Sequence, residues 1–328
     1  MDLASVFAEP LVDLGAEAPA FAGIYTPQSF YGATKVGVTS QFLENAEQYH
    51  RAYFDTEYWD FLLGNALAAA GDPGAPARII DIGSGSGNSV IPLANRFPDA
   101  EIVATDISPQ LLAILRDFLR KRTDGDERFG LVCVDAMGAN YRPEVADLAV
   151  GAAILHHILE PDRVLAACLR ALAPGGWAIF FEPFEAGNAL LKFTYRRILS
   201  QASGSERATP GFRFIERMVE DYKRRERPFG DPIYRELDDK WMFTRTYFDR
   251  IRAQQGWSEL ITYALNVSPT GLRDQASVHL RLGAGLTADA LPAWAWSVID
   301  ESDASISSDL RGELAQEGAV LLRKRRAV

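Results

Sequence analysis

Arg78-Ile79-Ile80-Asp81-Ile82-Gly83-Ser84-Gly85-Ser86-Gly87 is the stretch that decides the fold. A short apolar run ends in an acid, then glycine and serine alternate. Asn88 to Arg96 follows with helical spacing. Glycine accepts positive φ and lets the backbone approach a ligand closely. At a strand-to-helix turn of an α/β sheet this is the ligand crevice, with helix N-terminal amides at hand. The spacing is not that of a diphosphate loop. G-x-G-x-x-G started at Gly83 and Gly85 requires glycine at position 88, which is Asn88. The acid before the loop, Asp81, repels a diphosphate and suits a ligand carrying an ammonium group.

Downstream, the same rhythm repeats. Glu101 to Thr105 reads as a strand ending at Asp106, and Ser108-Pro109 opens a helix to Arg122 with Ser108 as its cap. Gly130 to Val134 is a strand ending at Asp135, and Asp147 to Ile154 is another. Pro161 to Leu172 is a helix stopped by the turn Pro174-Gly175-Gly176, and Trp177 to Phe181 is a fifth strand. Strands alternating with helices make βαβ units and a mostly parallel, doubly wound sheet. The strands are apolar without alternation, as expected when both faces are covered.

Asp106 stands about 20 residues past the loop, where a strand-tip carboxylate accepts from the two hydroxyls of a ribose. Asp135 is placed to accept from an adenine amino group, with Met137 packed on the base. One acid at a strand tip is ordinarily a helix cap. Acids on three successive strand tips at the ligand edge point to a nucleoside lying across them.

These residues resemble the class I S-adenosylmethionine-dependent methyltransferases over roughly Arg78 to Pro183. Ile80 to Gly87 is similar to the family's first motif, and Val103-Ala104-Thr105-Asp106 to its ribose-binding acid. Val134-Asp135-Ala136-Met137 is similar to its adenine motif. Asp147 to Val150 through Leu155-His156-His157-Ile158 resembles its fourth-strand motif, and Leu172 to Trp177 its turn before strand five. The resemblance implies a seven-stranded sheet with an antiparallel last strand, and S-adenosylmethionine as cofactor. It assigns the cofactor to Asp81, Gly83, Gly85, Gly87, Asp106, Ile107, Asp135, Ala136 and Met137, with Tyr58 closing over it from an N-terminal helix.

Methyl transfer from a sulfonium needs positioning and a base that takes one proton from the acceptor. Histidine suits neutral pH. His156 and His157 follow the fourth strand, and adjacent residues do not share a face, so one of them points inward; His156 is favoured. Glu182, in Phe181-Glu182-Pro183, is the rival, either orienting an acceptor hydroxyl or relaying a proton in C-methylation. His50 and His279 are isolated and read as structural.

Outside this region the pattern is helical. Residues 1–75 form an N-terminal cap, carrying Phe42, Tyr49, Tyr53 and Phe54 and then Tyr58, Trp59, Leu62, Leu63 and Leu67, and end at the breakers Gly71 to Pro76. Residues 187–255 read as a helical insert that lids the acceptor site, rich in arginine and aromatics. Residues 76–186 and 256–328 are the cofactor-binding core. Glu259 to Leu265, Ser277 to Leu282 and Ala319 to Leu322 are β-like runs, any of which can close the sheet.

Composition narrows the function. The chain has 328 residues and is 48% hydrophobic, enough for a full core without metal or disulfide staples. A net charge of −10 argues against nucleic acid and against anionic membrane surfaces, which both select clustered Lys and Arg. Cys133 and Cys168 sit in apolar stretches as free thiols without metal spacing. The first residues show no signal-peptide pattern, and no window holds the roughly 18 apolar residues of a membrane span. A cytoplasmic protein follows as the expectation, with a homodimer open to it through an apolar lid that can pair between subunits. The combined expectation is a small-molecule methyltransferase, with oxygen of a natural-product, glycan or lipid-like acceptor methylated. C- or N-methylation, or a non-catalytic regulatory protein that binds the donor, are the alternatives.

Overall fold

The computed structural model describes residues 1–31, 44–71, 74–122, 127–228 and 230–327. Phe42 and the breakers Asp72 and Pro73 lie outside them. The chain divides into two compact units. The first is Met1–Glu182, Arg245–Thr262 and Ala319–Val328; the second is Pro183–Thr244 and Tyr263–Gly318. The second unit thus takes in much of the stretch after 256 that the sequence reading grouped with the core.

A nine-stranded sheet runs in the order β1-β2-β5-β4-β3-β6-β7-β9-β8. Its strands are β1 (Leu11–Asp13), β2 (Ile24–Pro27), β3 (Arg78–Ile82), β4 (Glu101–Asp106), β5 (Phe129–Cys133), β6 (Ala146–Ala152), β7 (Leu172–Pro183), β8 (Glu259–Ala264) and β9 (Glu317–Arg323). The five strands from β5 to β7 pair in parallel. Their central residues are sealed: Ile79, Val103, Val132, Val150 and Ile179 are fully buried. The order reverses between β4 and β6, on either side of β3, which makes the C-terminal tip of β3 the switch point where ligands bind. The seven expected strands are β3 to β9, and the other two come from the N-terminal segment.

β9 runs antiparallel to both neighbours. Gly175 N–H donates to Lys324 and Phe184 N–H to Gln316, so rising numbers on β7 meet falling numbers on β9. Ser258 N–H donates to Arg323 and Leu265 N–H to Glu317, which gives β8 the same sense. The two runs left open by the sequence at Glu259 and Ala319 therefore both enter the sheet. The third does not: Ser277 to Leu282 lies inside a helix, Gly271–Ala284. Asp303 fixes the start of that helix, its carboxylate accepting from the amides of Leu272 at 2.9 Å and Arg273 at 3.0 Å.

Other expectations shift by local chemistry. Pro174-Gly175-Gly176 is not a turn outside the sheet but a bulge within β7. Pairing jumps from Ala146↔Leu172 to Leu148↔Trp177, and Gly175 absorbs the extra length at φ 85°. The helix expected over Tyr234 to Gln254 is shorter, Arg245–Gln255, preceded by a 3₁₀ turn at Pro232–Arg235. The N-terminal 31 residues carry β1 and β2. β2 adds in parallel to the edge of β5, and the Thr26 hydroxyl donates to the Cys133 carbonyl at 2.8 Å.

The second unit is helical, built on Glu185–Gln201, Pro210–Arg224, Gly271–Ala284 and Ala293–Ala304. Tyr195, Phe212, Phe214 and Ile299 fill its core. Several of its arginines are tied to the unit itself. Arg197 pairs with Glu301 at 3.0 Å and Arg225 with Asp239 at 2.9 Å, and Arg217 lies over the Phe214 ring. Among the described residues no helix is long and apolar enough to cross a membrane.

Candidate active site

β3 delivers Asp81 to its tip at the level of Ala104, and the chain then turns through Gly83, Gly85 and Gly87 at φ 70°, 51° and 110°. Each lies in the left-handed half of φ that side chains avoid. Space adds a second reason at two of them. A Cβ on Gly83 would sit 2.6 Å from Ile154, and one on Gly87 would sit 2.6 Å from Leu115. A Cβ on Gly85 would meet no described residue within 4 Å. The amides of Gly83 and Ser84 donate to the Thr105 carbonyl at 2.8 and 2.9 Å and tie the loop to β4.

Asp81 is fully buried, and among the described residues neither carboxylate oxygen has a hydrogen-bond partner. Burial pushes its pKa up from 3.8 to about 6. The hydroxyls of Ser84 and Ser89 lie close enough to offset part of that rise without completing a hydrogen bond, and the charge of Asp106 adds to it.

Asp106 ends β4. Its Oδ2 accepts from the Gly85 amide at 2.8 Å and its Oδ1 from the Ser108 amide at 2.8 Å. Both bonds fix the orientation of the carboxylate at the loop. Ser108 then caps helix Pro109–Leu119 through the Leu111 amide, with Pro109 at its first position. Ile107, half-buried, offers its carbonyl to the Cys133 thiol at 3.5 Å. Asp135, just past β5, closes its own turn by accepting from Met137 N–H at 2.9 Å. Asp135, Ala136 and Met137 are all half-buried. Neighbouring strands lie about 4.8 Å apart, so β3 to β5 span roughly 10 Å across the sheet, with Asp106 two residues past the level of Asp81 and Asp135 two residues past that of Asp106.

A second group forms on the other side of β3. After β6 the chain passes Ala153 at φ 55°, a strained value for a residue with a side chain. This turns three successive amides onto one carboxylate. Glu182 Oε1 accepts from Ile154 at 3.1 Å and Leu155 at 2.7 Å, and Oε2 accepts from His156 N–H at 3.1 Å. Oε2 also meets His156 Nδ1 at 2.7 Å. Glu182 is fully buried and His156 nearly so. The His157 ring lies against the His156 ring, centroids 4.0 Å apart. The sequence treated Glu182 and His156 as rivals; the fold joins them as one pair.

Tyr58 is half exposed on helix Thr56–Ala69, its ring beside Trp59, which packs edge-on against Phe181 at 5.6 Å. Three contacts at the loop were not anticipated. His50 Nδ1 meets the Ser86 hydroxyl at 2.8 Å, and Asn88 bonds both the Tyr53 carbonyl and the Asp55 amide at 2.9 Å. A lone histidine distant in sequence carries no pattern that announces such a contact. His279 lies in the second unit, against Gln275 at 3.0 Å, with its pKa lowered to about 4 by burial.

Residues 80–180 match a family model described as a methyltransferase domain. Among curated proteins the chain is similar to the malonyl-[acyl-carrier protein] O-methyltransferase of Methylococcus capsulatus, 34% identical over 38% of this chain and 43% of that one. It is similar to the trans-aconitate 2-methyltransferase of Variovorax paradoxus, 37% identical over 30% of this chain and 36% of that one. The demethylmenaquinone methyltransferase of Thermus thermophilus is 28% identical over 45% of this chain and 68% of its own length. The chain thus spans under half the length of the first two. The matched segment runs from the tip of β3 into β7 and holds the glycine loop, the three strand-tip acids and the histidine pair. Residues 80–180 thus match a methyltransferase domain, and the relatives similar over this stretch are methyltransferases by name.

Proposed function

We propose that the protein transfers a methyl group from S-adenosylmethionine to oxygen of a small natural-product, glycan or lipid-like acceptor. The observation that carries this is the buried His156–Glu182 pair, built by the strand tips on one side of the glycine loop while the three acids line the other. The donor fits the residues present. Asp81 is a buried carboxylate without a hydrogen-bond partner among the described residues, which an ammonium group would compensate. No described residue fills the space a side chain would take at Gly85. Asp106 is held for the ribose hydroxyls, with Ile107 beside it, and Asp135, Ala136 and Met137 form the adenine end. Gly83 and Gly87 shape the loop, and Tyr58 closes over the donor.

When bound, the donor supplies a methyl group on a positively charged sulfur, already activated for displacement. The chain then has to position the acceptor and remove its proton. Glu182 accepts from Nδ1–H of His156, which fixes the tautomer and makes Nε2 the basic nitrogen. Nε2 takes the proton of the acceptor hydroxyl as oxygen attacks, and the imidazolium formed is stabilised by the same carboxylate. Glu182 is a positioning residue in this reading, because backbone amides and the imidazole already occupy its oxygens. His157, its ring tilted against that of His156, lines the same site. The Methylococcus relative is by name an O-methyltransferase, which supports oxygen, and the Variovorax relative is by name a trans-aconitate methyltransferase, which supports a small acceptor. The acidic charge supports an acceptor other than nucleic acid.

The test is incubation of metabolite extracts with isotopically labelled donor, followed by mass spectrometry. A small product with the label on oxygen is expected. Label on carbon or nitrogen overturns the oxygen assignment, and label only on macromolecules overturns the acceptor class.

A further inference from the structure

The non-glycine positions of the loop have work of their own. Ser86 is buried, and its hydroxyl meets His50 Nδ1 at 2.8 Å. Asn88, the residue that breaks the diphosphate spacing, bonds the Tyr53 carbonyl through Nδ2 and the Asp55 amide through Oδ1, both at 2.9 Å. That amide pair is where helix Ala46–Tyr53 ends and helix Thr56–Ala69 begins, and Asp55 caps the second helix through Tyr58 N–H at 3.0 Å. Farther along, Arg96, at the end of the helix that follows the loop, donates to the Asp60 carboxylate at 2.7 Å and to the Asp60 carbonyl at 2.8 Å. The His50 ring is set by Phe54 at 4.5 Å and Phe118 at 5.7 Å. The glycine loop is thus bonded on one side to β4 and on the other to residues 50–60.

We propose that His50 and Asn88 are positioning residues for the methyl donor: they clasp residues 46–56 onto the glycine loop and hold it in the shape that binds the donor. The inference rests on the donor-site reading above. Glycines give a loop many conformations and raise the entropy lost on ordering it. Contacts made before the donor arrives lower that cost at binding. The coupling is reciprocal, so donor binding must in turn stabilise residues 46–56.

The test uses the full-length chain, with S-adenosylhomocysteine as the calorimetric probe. His50→Phe keeps an aromatic ring against Phe54 and Phe118 and loses the bond to Ser86. His50→Asn places an amide where Nδ1 stood and keeps the bond. A single hydrogen bond supports a change of about tenfold. His50→Phe and Asn88→Ala are each expected to weaken binding by roughly fivefold to tenfold, with His50→Asn recovering most of the loss. Amide exchange in residues 46–56 is expected to slow on probe binding in the natural protein and to slow far less in Asn88→Ala. Asp106→Ala runs beside them: if it binds as the natural protein does, the donor-site reading fails. If Asp106→Ala loses binding while His50→Phe and Asn88→Ala keep it, or if residues 46–56 exchange alike with and without probe, the clasp is overturned and the site stands.

Discussion

Asp81 is the residue at which the site's electrostatics are most exposed to experiment. Its folded-state pKa is raised to about 6 because burial penalises the charged form. Between the ordinary value of 3.8 and about 6 the folded chain therefore binds more protons at this residue than the unfolded chain does. By linkage, its contribution to stability is greatest at low pH, falls as pH rises through that window and levels off above it. A donor ammonium pairs with the charged form, so donor affinity should run the opposite way, rising with pH up to about 6 and flat beyond. Asp81→Asn should flatten both profiles; an unchanged pH profile of affinity contradicts the assignment of Asp81 to the ammonium end. The His156–Glu182 pair makes a separate prediction. His156→Ala should cut turnover by about a hundredfold or more while donor affinity stays within about threefold, as expected when an interaction is used only in the reaction. Glu182→Gln turns an amide NH2 toward His156 or toward the backbone donors, leaving a buried donor unpaired at a cost of about 1–3 kcal/mol. It should lower both turnover and thermal stability. If His157→Ala loses activity and His156→Ala keeps it, the base is the other histidine.

At the scale of elements, the glycine loop, the histidine turn and the N-terminal helices constrain one another. Gly83 touches Ile154, whose own amide is held by Glu182. Gly83→Ala combines a positive φ with a 2.6 Å collision, so it should cost about 1–3 kcal/mol. Because the neighbour that must yield is Ile154, turnover should fall along with donor binding. An alanine variant with unaltered stability and kinetics shows the contact to be dispensable. Much of this layer was legible in the sequence. Apolar runs ending in Asp81, Asp106 and Asp135 gave the three strands and their ligand edge, and Ser108-Pro109 gave a helix start that the structure reproduces. The failures have identifiable causes. Ser277 to Leu282 looks β-like in isolation, but Asp303 caps the helix that contains it from about 30 residues away. Pro174-Gly175-Gly176 carries turn residues, yet pairing continues on both sides of it, and the turn chemistry is spent on a bulge.

Across the whole molecule, the boundary of legibility follows the range of the interactions. The parallel core is written in short-range pattern, whereas β1 and β2 are not. Their proline-rich, weakly periodic sequence becomes strand only because β5 offers an unpaired edge, and Ile24↔Leu131 and Tyr25↔Val132 fix the register. The joining of Glu182 to His156, 26 residues apart, was likewise invisible, since it depends on adjacent strand tips and not on spacing. What the fold adds to the sequence is a partnership: two residues proposed as competing bases form one oriented pair, and a loop proposed to hold a donor is itself held. All of this depends on a sulfonium nucleoside lying across the tips of β3, β4 and β5. Calorimetric titration of the full-length chain with S-adenosylhomocysteine tests it most directly. One site per chain is expected, with affinity weakened at least about tenfold in Asp106→Ala through loss of a charged hydrogen-bond acceptor. No heat of binding in the natural protein, or equal affinity in Asp106→Ala, contradicts it.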